Sequence, residues 1–397
     1  MVVDFFINNW LVISFYVGVI ALIFFNRDKF EFEGKVIALY KTTLGIDWMK
    51  KISRKYPTTV KWFGTIGIWA GYIGMIGVVS MIGYGLWQLI YRPEAPPMFT
   101  PVLPGFTIPG GIHLPLVEGL IALFIVIVIH EFSHGVVSKV YDIPINSSGF
   151  VMFGPIPGAF VEPDEDKLEE SSSHTQLSIY SAGPFSNFLL FFVLFAAGLV
   201  ISPLIVDAYA PSGLVVEGYT NESLERLDVG DKIISFEGKN ITDHNSLQEA
   251  LSNTSPGDDV TIGLEDEDVS MEVNSHPENN QSPFLGITLS QEVSPSNENS
   301  FLSFLQQPIF WLFGNPYGLS LSEALGVLQW TFVLSFGIGL VNLLPLGPVD
   351  GGKMFLLGMQ RFFTEDTAMK IWYYVSWVFF ITLIILVFVP IIRSLFA

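Results

Sequence analysis

The chain has 397 residues, half of them hydrophobic and only 14 % charged, with a formal net charge of −19. So apolar a composition excludes an ordinary water-soluble globular protein, and the negative charge argues against nucleic acid as a partner held by phosphate neutralisation. The absence of cysteine removes disulfides, thiolate–metal sites and cysteine nucleophiles.

Apolar runs of about 18 or more residues can cross a ~30 Å hydrocarbon layer at ~1.5 Å per helical residue. Six segments qualify: 8–25, 64–91, 113–140, 177–206, 324–346 and 371–396. The expected fold class is therefore a polytopic α-helical membrane protein with six transmembrane helices. The first run is too long for a secretory signal and lacks a small-residue cleavage site, so it is read as retained.

Residues 1–63 combine this first span with a basic loop holding Arg27, Lys29, Lys35, Lys41, Lys50, Lys51, Arg54, Lys55 and Lys61. Counted over alternate loops, Lys and Arg number fourteen on one side and five on the other. The richer side is cytoplasmic, which puts both termini and the long polar insert outside it. Residues 44–62, with Trp48, Met49 and Trp62 among lysines, fit an interfacial amphipathic helix or a plain basic loop equally well.

Region 64–206 carries the second to fourth spans. Within the third lies His130-Glu131-Phe132-Ser133-His134. On a helix, positions i and i+4 share a face, so two imidazoles can grip one metal ion while the carboxylate between them takes a proton from water. Ionisable groups inside a span cost about 2.5–3.5 kcal/mol each on insertion scales, so three within five residues mark function. A catalytic metal site needs a third protein ligand.

Residues 207–300 hold nineteen acidic residues against three basic ones. Short apolar runs (GLVVEGY, DKIISF, DVTIGL, VSMEV, FLGITL) read as strands and SLQEALSN as a short helix. Leu227-x-x-Gly230-Asp231-x-Ile233 followed by Glu237-Gly238-Lys239-x-Ile241 resembles a PDZ domain, making this insert a small extramembrane α+β domain. In region 301–397, residues 301–322 are aromatic but broken by Pro308, Gly314 and Pro316, and are expected to lie at the interface ahead of the last two spans. Near the inner end of the fifth span, Asn342-Leu-Leu-Pro345-Leu-Gly347-Pro348-Val-Asp350-Gly351-Gly352 breaks the helix. It can turn Asp350 toward a neighbour, or leave it at the water interface after a plain helix stop. His113, His174, His244, His276 and Glu118 are expected to be solvated or interfacial.

H-E-x-x-H in one span and N-x-x-P-x-x-x-x-D-G in a later one, with a PDZ-like insert between them, resemble the site-2 protease family of intramembrane zinc metalloproteases. The six-span layout matches that of its archaeal members. The resemblance implies that His130, His134 and Asp350 bind one zinc ion and that Glu131 is the general base. It implies transmembrane protein substrates cut in the lipid bilayer, with a site-1-type protease acting upstream. Ala182-Gly183-Pro-Phe-Ser-Asn187 looks like the family's G-x-x-x-N element. It makes Asn187 a catalytic candidate that bonds substrate backbone or an oxyanion, against a packing role. Residues 146–163 match a membrane-associated β-hairpin whose edge can hold an unwound substrate strand.

Two other classes use the same residues. A transporter or ion channel would line its path with the His/Asp cluster, although no inverted repeat is evident. A non-enzymatic adaptor would work through the PDZ-like insert alone, and leaves the buried charges unexplained.

Overall fold

A computed structural model of the protein describes residues 10–34, 37–92, 97–106, 113–154, 156–219, 227–265, 267–276, 279–296, 300–318 and 325–396. Two compact units emerge, one running up to Phe195 and resuming at Gln329, the other spanning Ala196–Leu328. Lys35 and Arg226, residues 8 and 9 of the first expected span and the end of the 301–322 segment lie outside the described residues.

The first unit begins with helix α1 (Trp10–Phe25) and a short sheet formed by β1 (Glu31–Glu33) and β2 (Ile37–Thr42). Helices α2 (Ile46–Lys55) and α3 (Pro57–Tyr91) follow, α3 opening with proline, whose fixed φ and missing N–H cost nothing at a helix start. The basic segment read as a loop thus holds two strands and a helix, and α3 starts before residue 64. Helix α2 buries Met49 while Trp48 is exposed, an amphipathic split.

Helix α4 (Leu116–Val140) turns Gly119, Ala122, Val126, His130 and His134 inward, a buried stripe at three- and four-residue spacing. Next come β3 (Ile145–Phe153), β4 (Ile156–Pro163), the short α5 (Glu165–Glu169) and the long α6 (Ser173–Ala208). Strands β1–β4 form one antiparallel sheet in chain order, so the expected hairpin β3–β4 is extended by two strands from more than 100 residues upstream. Lys41 ties the sheet across its strands, reaching Glu31 at 3.0 Å and Glu162 at 3.4 Å. The hydrogen bond to Glu31 raises its ammonium above the usual lysine range.

In the second unit, β5 (Tyr209–Tyr219), β6 (Lys232–Phe236), β7 (Lys239–Asn240), α7 (His244–Leu251), β8 (Asp259–Leu264) and β9 (Asp268–Glu272) are followed by β10 (Asn274–His276), β11 (Asn279–Phe284) and β12 (Ile287–Pro295). The main sheet runs β12-β5-β6-β8-β9, with β7 on β6. Leu214, Ile233, Phe236, Ile241, Leu247 and Ile262 fill one apolar core, and Asp243 and Ser246 cap α7 reciprocally. Helix α8 (Ser300–Phe313) accommodates Pro308 internally.

The first unit resumes with α9 (Val327–Val341), α10 (Asp350–Gln360) and α11 (Glu365–Phe396). Pro345 and Pro348 have no N–H to extend a ladder, so the chain turns after α9. The Gly351 N–H closes that turn by donating to the Asn342 carbonyl at 2.7 Å. A Cβ at Gly351 would overlap the Leu343 and Leu344 backbone, so only glycine lets α10 start this close to the turn. Leu343 and Leu344, fully buried, anchor it against Met75 and Met354, and against Val78 and Leu386.

Among the described residues, α3, α4, α6 and α11 are long and apolar enough to cross a membrane, whereas α1, with 16 residues, and α9, with 15, are shorter. The protein is an integral membrane protein with several apolar helices.

Candidate metal centre

His130 and His134 stand one turn apart on α4, their ring centroids 4.9 Å from each other. Asp350, the first residue of α10, sends its Oδ2 to 3.1 Å from His130 Nε2 and 3.4 Å from His134 Nε2. The closed turn after α9 is what delivers a carboxylate 220 positions downstream to this spot. Its place in the first turn also suits the positive end of the α10 dipole.

The three ligand atoms all lie within 4.8 Å of one another. His134 Nδ1–H donates to the Ile179 carbonyl at 2.7 Å, which leaves the Nε2 lone pair facing Asp350 and the other imidazole. Facing both Nε2 atoms sits Gly183 of α6. A Cβ there would overlap both Nε2 atoms, so the absent side chain is what keeps this space open. Two neutral imidazoles and one carboxylate, with one position left free, are the donor set of a catalytic zinc site.

Glu131 reaches the sheet, where its Oε2 accepts from the Val161 N–H of β4 at 3.1 Å. It shares a cavity of about 370 Å³ with both histidines, Asp350, Asn342, Tyr180 and Lys353. Glu165 and Glu169 stand at the rim from α5.

Asn187 bonds across to a neighbouring helix. Fully buried on α6, it does not line this cavity; its Nδ2 donates to His130 Nδ1 at 3.1 Å. Helix α6 therefore touches the site at two places, Gly183 facing the two Nε2 atoms and Asn187 at His130 Nδ1. The G-x-x-x-N spacing places both on one face but says nothing of their partner. Val161 was not singled out from sequence, since a backbone donor leaves no mark in residue type. His174 pairs with Thr65 at 3.3 Å and does not join the cluster, and the side chain of His276 lies outside the described residues.

A His-His-Asp cluster set among apolar helices, with Glu131 lining the same cavity, fits the metal site of a membrane metalloprotease. Residues 118–384 match the peptidase family M50, the site-2 protease family, and the chain belongs to it. It is 25 % identical to an uncharacterized protein of Methanocaldococcus jannaschii, covering 82 % of this chain and 79 % of that one. A Fusobacterium nucleatum protein, provisionally called a zinc metalloprotease by its name, is 24 % identical over 61 % of this chain and 87 % of its own. Zinc metalloprotease RasP of Geobacillus kaustophilus is 23 % identical over 51 % and 56 %. The enzyme class is metalloprotease and its cofactor is zinc. This membership favours the enzyme over the transporter and adaptor alternatives.

Proposed function

We propose that the protein hydrolyses peptide bonds of transmembrane protein substrates within the bilayer, as a step of regulated intramembrane proteolysis. The observation that carries this is the position of the site. His130, His134 and Asp350 are drawn from two helices of an apolar bundle, and their cavity opens beside an edge strand.

When bound by His130, His134 and Asp350, zinc supplies a Lewis acid that polarises a carbonyl and makes nearby water more acidic. Glu131 takes the proton of the attacking water and passes it to the leaving amine nitrogen. A helical segment shields its own peptide bonds, so it must unwind before attack. Strand β4 is the outer strand of its sheet, and its edge offers the unwound segment a pairing partner beside Glu131.

Six spans, with α1 and α9 as the two short ones, and cytoplasmic placement of the basic α2 segment would set the active site toward the cytoplasm. The insert would then lie outside. A sheet of this order with one short helix supports a PDZ-like assignment for it, and an outward PDZ-like domain would hold back substrates not yet trimmed by an upstream site-1-type protease.

The test is to incubate detergent-purified protein with a single-span test protein, with and without a chelator, and with Glu131→Gln. A new terminus inside the apolar segment, absent with chelator or with the variant, supports the proposal. A cut only in flanking loops would overturn it.

A further inference from the structure

Asn187 is fully buried, and its two ends are unequal: Nδ2 donates to His130 Nδ1, whereas Oδ1 has no hydrogen-bond partner among the described residues. A buried acceptor left alone costs free energy. Its neighbourhood explains the orphan. With Nδ2 donating, Nδ1 of His130 must hold a lone pair, and the ring proton sits on Nε2, directed at Asp350 Oδ2.

Ligation through Nε2 demands the opposite tautomer, with the proton on Nδ1 and an acceptor facing it. A half-turn of the Asn187 carboxamide about its last torsion exchanges the two ends and presents Oδ1 to Nδ1–H. The other histidine already has that arrangement, through the Ile179 carbonyl. Among the described residues no backbone carbonyl does the same for His130, and Asn187 is the polar side chain bonded to its Nδ1.

We infer that Asn187 is a positioning residue: through Oδ1 it holds His130 in the tautomer whose Nε2 binds the metal. This rests on the metal-site reading above, and it assigns α6 a part in zinc affinity, not in substrate contact. An amide suits the task because it can accept from Nδ1–H without adding charge beside the cation. It can also donate when the proton moves to Nε2, so the ring stays partnered in both forms.

The experiment measures zinc affinity of the full-length protein in detergent, by competition with a chromophoric chelator, for wild type, Asn187→Leu and Asn187→Asp. Leucine matches asparagine in shape without polar atoms and suits an apolar bundle; aspartate keeps the acceptor. The expected result is a 10- to 100-fold weaker affinity for N187L, with N187D at or near the wild-type value. Equal affinity in N187L and wild type would overturn the inference, the more so if turnover alone fell, because that is the signature of a substrate or oxyanion role. N187D as weak as N187L would also overturn it, leaving only packing. A wild-type protein without stoichiometric zinc would instead sink the metal-site reading itself, and the inference with it.

Discussion

Glu131 Oε2 and the Val161 backbone N–H, 30 residues apart in sequence, are joined by a 3.1 Å hydrogen bond that links the middle of α4 to the edge strand β4. The bond fixes which way the strand faces. Since the Val161 N–H points out of the sheet, the alternation of an antiparallel ladder makes the Ala159 N–H point out as well, in the unbroken register from Val161 to Ile156. Pro157 and Pro163 flank these two donors and offer none. The edge is therefore short, and it ends at Glu131.

Replacing Glu131 by glutamine keeps an acceptor for Val161 and leaves His130, His134 and Asp350 untouched. Glutamine takes no proton from water. Zinc content should remain at the wild-type level while cleavage falls by at least 10²-fold; metal analysis and a cleavage assay on one preparation check both halves.

Ala159→Pro removes an outward donor without touching Glu131, whereas Phe160→Pro removes a donor that faces β3 within the sheet. The first should lower cleavage of a transmembrane substrate with zinc content and melting temperature nearly unchanged. The second should lower the melting temperature. Equal cleavage by A159P and wild type would remove the strand-pairing role of β4.

Gly183→Ala adds one methyl where it overlaps the Nε2 atoms of His130 and His134. His130, His134 and Asp350 all remain, yet zinc affinity should fall at least 10-fold, measured by chelator competition, as either the rings or α6 move aside. A variant of ordinary affinity would mean that the metal binds elsewhere.

Gly351→Ala tests the turn that delivers Asp350. Its Cβ meets Leu343 and Leu344 backbone, which cannot yield as a flexible side-chain tip can. Overpacking of this kind costs about 1–3 kcal/mol, so thermal unfolding should come several degrees lower and zinc should be held less tightly.

Deleting residues 207–300 with a short linker in their place probes the insert. If it holds back untrimmed substrates, the ratio of full-length to pre-trimmed substrate cleaved should rise. An unchanged ratio would assign the domain another duty.

The His-His-Asp cluster was legible in sequence because it is written in residue type and spacing. His130 and His134 share a face at four residues, and the Pro and Gly around Asp350 announce a broken helix. The strands of the insert were legible too, as alternating apolar runs such as DVTIGL. What escaped was non-local. Strands β1 and β2 sit among lysines that read as a loop, although Phe30-Glu31-Phe32-Glu33 alternates with the period of a strand; their stability comes from β3, more than 100 residues away. The partnership of Asn187 with His130 depends on how α6 lies against α4, which no spacing within α6 encodes.

On the proposed reading, His130, His134 and Asp350 together hold one divalent ion. Zinc content and the X-ray absorption edge of purified wild type and Asp350→Ala test it most directly. The prediction is one zinc per chain in wild type, with a first shell of two imidazole nitrogens and carboxylate oxygen, and loss of most of that zinc in D350A. An unaltered edge spectrum and full zinc content in D350A would contradict it.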